Sequence, residues 1–202
     1  MINRIEQKIE FKSSEYSYFI KWIKSKNASI LYPDRKVCSR YFDNSNMQMY
    51  RDTLEGLVPR KKIRIRTYNT EQFDFSKYPY RLEIKTTTEY KRSKKILEDF
   101  DLKDLMINGF FDQSYGFCKH KIDISYLREY FIIKDIRITI DKNIKYKISD
   151  IMSPFIGKEK KDSNYVLEIK TNSQKSLTYL SNIFDFPRTR FSKYERANNS
   201  LF

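Results

Sequence analysis

The sequence predicts an α+β fold built on an antiparallel sheet closed into a β-barrel, with helices flanking it. Three observations lead there. Several segments alternate charged and apolar residues with the two-residue period of a half-buried strand. Only four Gly and five Pro punctuate 202 residues, which favours long elements in one domain covering residues 1–202. The helical patterns are few and fall between strands that can pair in sequence, the arrangement of an α+β domain.

Taken in order, the first alternating segment runs from Arg4 to Phe11 and puts Arg4, Glu6, Lys8 and Glu10 on one face, with Ile5, Ile9 and Phe11 on the other. Ser14 is placed to cap a helix from Glu15 to Lys26 whose buried stripe is Phe19, Ile20 and Ile23. Val37 to Phe42 forms a weaker strand pattern, and Asn46 to Leu54 reads as a short helix closed by Gly56. Lys62-Ile63-Arg64-Ile65-Arg66 and Leu82-Glu83-Ile84-Lys85 repeat the charged alternation, followed by a fainter pattern from Lys91 to Leu97. Asp101 can cap a helix that ends near Gly109. Arg137 to Asp141 and Leu167 to Lys170 are the last two charged strands, and Ile144 to Ile148 is a weaker one. A helix is expected from Ser173 or Gln174 with Leu177, Leu180 and Ile183 on its stripe, and Arg190 to Tyr194 reads as a final short strand.

Lys and Arg total 40 against 26 Asp and Glu, a formal net charge of +14. A compact chain with that surplus repels itself and is answered by an anionic partner. Aromatic residues make up 16% of the chain, which excludes a disordered basic tail. Two cysteines, Cys38 and Cys118, form no disulfide framework at this length and fit a reducing compartment. The chain opens without a signal-peptide pattern and holds no apolar run long enough to span a bilayer, so a soluble cytoplasmic protein is expected.

Placement of the charge is more informative than its sum. A single alternating strand is most simply a solvated sheet face. Five such strands are harder to read that way, because Arg64 and Arg66 set like charges on one face, which is unfavourable without an answering anion. If these strands close into a barrel, alternate residues line its lumen, and a lumen of Arg and Lys must hold water, counter-ions or a ligand. Phosphate suits such a lining, since Arg grips its oxygens bidentately and Lys supplies point charges. Arg64→Ala and Arg66→Ala are therefore expected to lose turnover and to raise the melting temperature in phosphate-free buffer, through relief of like-charge repulsion. The carboxylates Glu6, Glu83 and Glu168 are either cross-strand ion-pair partners or ligands for Mn²⁺ or Mg²⁺ held against phosphate oxygens. His120 is the only histidine and reads as packing or surface, and there is no Gly-rich phosphate loop, nucleophile elbow or kinase motif.

An ordered series of short motifs then resembles the VTC-type polyphosphate polymerase domain of the triphosphate tunnel metalloenzyme superfamily, over Arg4 to Asn198. The series is Arg4-x-Glu6-x-Lys8, Arg40-Tyr41-Phe42-Asp43 with Tyr50, Lys62-x-Arg64-x-Arg66-x-Tyr68, Leu82-Glu83-x-Lys85, Tyr126-x-Arg128, Arg137-x-Thr139-x-Asp141, Leu167-Glu168-x-Lys170 and Ser192-Lys193-Tyr194. The resemblance implies a tunnel enzyme that moves the γ-phosphate of ATP onto a growing polyphosphate chain with Mn²⁺ or Mg²⁺. It implies phosphate contacts from Lys8, Arg40, Lys62, Arg64, Arg66, Lys85, Arg128, Arg137, Lys170, Arg190 and Lys193. Among these Lys8, Arg64, Arg66, Lys85 and Lys193 would be catalytic. Arg92, Lys94 and Lys95 compete for one further tunnel position, with Arg92 and Lys94 favoured because they share a face. Arg4 stands where relatives carry Glu, which shifts the expected metal site from the first strand toward Glu168. ATP, triphosphate and polyphosphate are the partners implied, along with a membrane protein that collects product. A hydrolase of the same fold is the alternative, as is a non-catalytic polyanion-binding module. Nucleic acid is not the expected ligand, although Tyr78, Tyr80 and Tyr90 lie near basic residues.

Overall fold

Every charged alternating segment becomes a β-strand. The computed structural model describes residues 5–70, 79–174, 176, 178, 179 and 187–202. Its strands are β1 (Ile5–Lys12), β2 (Ser29–Asp43), β3 (Arg60–Tyr68), β4 (Arg81–Thr87), β5 (Arg92–Leu97), β6 (Phe110–Asp112), β7 (Gly116–Ile133), β8 (Ile136–Ile148), β9 (Glu159–Lys161) and β10 (Asn164–Thr171). Helices with both ends among the described residues are α1 (Tyr16–Ser25), α2 (Gln48–Glu55), α3 (Leu102–Asn108) and α4 (Lys193–Leu201). The hydrogen-bonded strand order is β1-β10-β8-β7-β2-β3-β4-β5, with β6 on β7 and β9 on β8, and the pairs β1–β10, β10–β8, β2–β3, β3–β4, β4–β5, β6–β7 and β8–β9 are antiparallel. This order has two ends, so among the described residues the sheet is not closed into the barrel the sequence predicted. The β5 end carries exposed Arg92, Lys94 and Lys95, the kind of charged edge that resists pairing with a further strand.

The chain divides into two compact units, each assembled from three segments. The first comprises the chain up to Arg35, Tyr126–Ile144 and Asp162–Phe191. Its core is Ile9 and Phe11 of β1, Ile138 and Ile140 of β8, and Leu167 and Ile169 of β10, closed by Phe19 and Ile23 of α1. Phe11 stacks on Phe19 with ring centroids 4.0 Å apart. The apolar stripe predicted for this helix is therefore its buried face. The cap differs. A 3-10 turn over Ser13–Glu15 precedes α1, and the Glu15 carboxylate accepts from the Lys12 backbone N–H at 2.7 Å, so Ser14 is not the capping side chain. Helical residues are described at Gln174, Ser176, Thr178 and Tyr179, while the expected stripe Leu177, Leu180 and Ile183 lies outside the described residues, as do Arg4 and Tyr78.

The second unit comprises Lys36–Ser125, Lys145–Lys161 and Ser192–Phe202. Buried Ile63, Ile65 and Leu82 line one face of its β2-β3-β4-β5 sheet. Asp43 organises the helices. Its fully buried carboxylate accepts from the backbone N–H of Asn44, Met49 and Tyr50 at the start of α2, and from the Tyr194 hydroxyl of α4 at 2.8 Å. Gly56 ends α2 with φ +80°, as the helix-closing role predicted. Asp101 caps α3 by accepting from the Asp104 N–H. The predicted strand from Arg190 to Tyr194 is instead the entry to α4, because the Ser192 hydroxyl accepts from the Glu195 N–H. The Ser192-x-x-Glu195 spacing is a helix-start pattern that outweighs the short alternation.

Asp43→Ala removes the acceptor for three backbone donors and one buried hydroxyl. It is expected to destabilise the protein by roughly 3 kcal/mol, read as a lower urea midpoint with an unchanged m-value.

Candidate functional site

Register decides which side chains share a face. In the second unit Ser39 and Tyr41 of β2 stand opposite Arg66 and Arg64 of β3, which in turn stand opposite Arg81 and Glu83 of β4. Lys62 faces Lys85, Lys85 faces Lys94 of β5, and Thr87 faces Arg92. Directly opposed residues project to the same side. Across β3, β4 and β5 one sheet face therefore carries Arg60, Lys62, Arg64, Arg66, Arg81, Lys85, Arg92 and Lys94, with Glu83 the carboxylate among them. Lys95 faces Ile84 and belongs to the other side, so of the three Arg92 and Lys94 share the basic face and Lys95 does not. Arg40 also lies on the other side, opposite Ile65, where it forms a two-pronged pair with Asp123 at 2.7 Å for each bond. The structure does not bring it to the basic face.

The interior end of this face is buried and tightly bonded. Arg64 donates Nε and Nη2 to Glu83 Oε2 at 2.9 and 2.6 Å and Nη1 to the Tyr41 hydroxyl at 2.8 Å. Lys94 donates to Glu83 Oε1 at 3.0 Å. Arg66 donates Nε to the Ser39 hydroxyl at 3.0 Å. Burial alone would raise the Glu83 carboxyl, but Arg64, Arg66 and the bonds from Arg64 and Lys94 outweigh it and hold it far below the usual carboxylate range. Burial likewise works to raise the Tyr41 phenol, and Arg64 and Arg66 overcome it. The α4 entry adjoins this face: Lys62 donates to the Ser192 hydroxyl at 2.8 Å, and Tyr194 stacks on Tyr41 at 5.0 Å between centroids. Lys193 contributes to the field on Tyr41.

The first unit answers its charges differently. Lys8 stands opposite Glu168 and Glu6 opposite Lys170, while Glu168 and Lys170 stand opposite Thr139 and Arg137. Lys8 reaches both carboxylates, at 3.3 Å to Glu6 and 3.9 Å to Glu168. Lys170 does the same, at 4.0 and 2.7 Å. Arg128 forks onto Asp141 at 2.5 and 2.7 Å and approaches Glu168 at 4.0 Å. Burial opposes ionisation of Glu168, yet Lys170, Lys8, Glu6 and Arg128 together hold it well below the ordinary range. Burial makes the Lys170 ammonium easier to deprotonate than an ordinary lysine, against the pull of Glu168 and Glu6. Arg137 lies over the Tyr130 ring at 5.3 Å, and its Nε is buried without a hydrogen-bond partner. A cleft of about 290 Å³ lined by Asp135, Arg137, Lys170, Thr171 and Asn172 opens there. Thr189 N–H donates to the Lys8 carbonyl and Lys8 Nζ to the Phe191 carbonyl, which sets exposed Arg190 beside β1.

The carboxylates can be tested as metal ligands on this geometry. Glu6 and Glu168 share two lysines and interact with one another, a pair of hard oxygen donors on adjacent strands. The Thr139 hydroxyl, opposite Glu168, is buried and unbonded. That donor set fits a small divalent cation that completes its shell with substrate oxygens. Glu83 lies in the other unit, with both oxygens engaged by Arg64 and Lys94. Among the described residues no cluster of three or more His, Cys, Asp or Glu is arranged for a metal.

Arg81, Tyr41, Ser39 and Asp141 are parts of these faces that the sequence reading left unassigned. Arg81 carried a signal, since it shares the two-residue phase of Glu83 and Lys85. His120 is buried edge-on against Phe42, and burial lowers its pKa, which agrees with a packing role. Cys38 and Cys118 are both free thiols, each pushed by burial up to about 12. Among the described residues no helix is long and apolar enough to cross a membrane.

The pairing of Arg64 revises the expectation that removing it relieves repulsion. Arg64→Ala strips Glu83 of its main partner, and Glu83→Gln leaves Arg64 buried against a neutral side chain. Each is expected to cost about 3–5 kcal/mol in urea unfolding without added anions. Because Glu83 and Glu168 ionise at lower pH in the folded protein than in the unfolded chain, the unfolded chain binds more protons between those values. Stability therefore rises with pH through that window and falls as the medium is acidified below the ordinary carboxylate range. Glu83→Gln is expected to flatten the acid limb of a pH–stability curve.

The PH1012 protein of Pyrococcus horikoshii OT3 aligns over 90% of this chain and 87% of its own, with 12% identity and a TM-score of 0.48. A conserved hypothetical protein of Pyrococcus furiosus aligns over 91% and 87%, with 15% identity and a TM-score of 0.47. No curated protein matches the sequence. The family model described as the VTC domain matches residues 3–121 and 116–202, which together take in nearly the whole chain. The chain belongs to the VTC domain family, and that membership supports a polyphosphate-related function of phosphotransferase or phosphatase type.

Proposed function

We propose that the protein is a metal-dependent polyphosphate polymerase that transfers the γ-phosphate of ATP to the end of a growing polyphosphate chain. One observation carries the reading: the second unit presents eight basic side chains at two-residue spacing across β3, β4 and β5, with Glu83 the carboxylate among them. Like charges stand directly opposite at Lys62–Lys85, Lys85–Lys94 and Arg66–Arg81, and a polyanion lying along this face would lower the repulsion between them. From Lys62 to Arg66 the strand advances roughly 13 Å, which suits an extended polyanion more than a single phosphate.

Lys62, Arg64, Arg66, Arg81, Lys85, Arg92, Lys94 and Lys193 bind phosphates in this reading, with Arg64, Arg66, Lys85 and Lys193 among the groups that stabilise the reacting centre. Glu83 holds the Arg64 guanidinium in place through bonds from Nε and Nη2. In the first unit Lys8, Arg128, Arg137, Lys170 and Arg190 contact phosphate oxygens, and Glu6 with Glu168 would hold Mn²⁺ or Mg²⁺. Such an ion supplies charge neutralisation on phosphate oxygens, and its presence would release Lys8 and Lys170 from their carboxylate partners. In-line positioning and electrostatic stabilisation are sufficient for phosphoryl transfer, which needs no covalent intermediate on the enzyme.

Protein incubated with ATP and Mn²⁺ is expected to yield ADP together with long polyphosphate resolved on a gel. ADP accompanied only by orthophosphate would assign a hydrolase instead. Glu168→Gln is expected to lower turnover at least a hundredfold while calorimetry still registers triphosphate binding, following loss of a metal ligand and one negative charge. Wild-type turnover in that variant would remove Glu168 from the metal site.

A further inference from the structure

We infer that the loop joining β8 to β9 is a membrane-surface anchor that seats apolar side chains in an anionic bilayer. Four large apolar residues stand in water there: Ile151 at 67% exposure, Met152 at 80%, Phe155 at 52% and Ile156 at 55%. The loop that carries them is closed by its own hydrogen bonds. Ile148 N–H donates to the Lys158 carbonyl and Gly157 N–H to the Ile148 carbonyl, each at 3.0 Å. Ser153 N–H donates to Asp150 and Ile156 N–H to Ser153. At its base the N–H groups of Ser149 and Asp150 both donate to the Lys121 carbonyl, and Lys121 Nζ grips the Asp150 carboxylate at 2.6 Å. A loop held this firmly does not collapse to hide its side chains, so their exposure is a fixed property of the surface.

Charge identifies the occupant. The strands leaving and entering the loop carry Lys145, Lys147, Lys160 and Lys161, with Glu159 the carboxylate between them. Lys145 stands directly opposite Lys161. Lys158 lies over the Phe155 ring at 5.4 Å and bonds the Leu201 carbonyl, at the boundary between the apolar tip and the basic strands. A second copy of the chain would bring lysines against lysines, which opposes self-association. An anionic lipid surface answers both halves at once, with acyl chains for Ile, Met and Phe and headgroups for the lysines. This surface uses none of the residues assigned to phosphate transfer, so it stands or falls independently of that reading.

Sedimentation of the full chain with vesicles tests it. The protein is expected to pellet with phosphatidylcholine–phosphatidylglycerol vesicles and to remain in solution with pure phosphatidylcholine. Phe155→Ser with Ile156→Ser should weaken binding by about tenfold or more while leaving the melting temperature unchanged, since both side chains are solvated. Lys160→Gln with Lys161→Gln should weaken it and reduce its salt dependence. Failure to bind the anionic vesicles overturns the proposal, including the case where the loop instead proves to bind a protein. Binding that the Phe155 and Ile156 changes leave intact also overturns it, since lipid would then be held by basic residues elsewhere.

Discussion

Glu83 accepts two hydrogen bonds from Arg64 and a third from Lys94 while almost entirely removed from water, and the second unit's polar face is arranged around that contact. A guanidinium cannot be buried alone, because desolvation of an unpaired charge is too costly. With Glu83 as counter-charge Arg64 can occupy the interior end of the face, and Tyr41 fixes its remaining nitrogen. Tyr41 in turn stacks on Tyr194, whose hydroxyl goes to Asp43, the acceptor that starts α2. One ion pair thus leads through two aromatic rings to the entries of α2 and α4. Toward β5 the basic residues become exposed and need no such support.

The same alternation of charge and apolar groups has two different outcomes in the two units. In the first, opposite charges alternate across β1 and β10, so Lys8 and Lys170 each lie between two carboxylates. In the second, cations stand directly opposite cations at Lys62–Lys85, Lys85–Lys94 and Arg66–Arg81, around the Glu83 contact. The first arrangement suits a place where a small cation could displace ammonium groups, the second a place where a long anion could lie. Both rest on an apolar opposite face, closed in the first unit by α1 packing Phe19 and Ile23 onto the strands.

Period-two alternation made the strands legible because it reports which side of a residue is buried, and the five charged strands follow it. It could not report which strand lies next to which. Closure into a barrel was an inference from the lining, and the strand order instead leaves β1 and β5 as ends. The same gap explains Arg40: its motif placed it with Tyr41 and Asp43, but its own phase sets it on the opposite side, where Asp123, 83 positions along the chain, claims it. Arg81 was missed for the converse reason, since its phase was readable yet its value depends on Arg66 standing opposite. At the C-terminal helix a capping signal was present in Ser192 and Glu195, and a short alternating string obscured it.

The contrast in charge balance has a consequence for how the protein meets its medium. At physiological ionic strength screening acts over about 8 Å. Added electrolyte weakens attraction among the mixed charges of β1, β8 and β10, and in the β3-β4-β5 sheet it quiets mutual repulsion. Salt therefore acts on attraction between partly exposed partners in one unit and on repulsion between directly opposed cations at the β5 end of the other, while the buried Arg64–Glu83 pair is little screened.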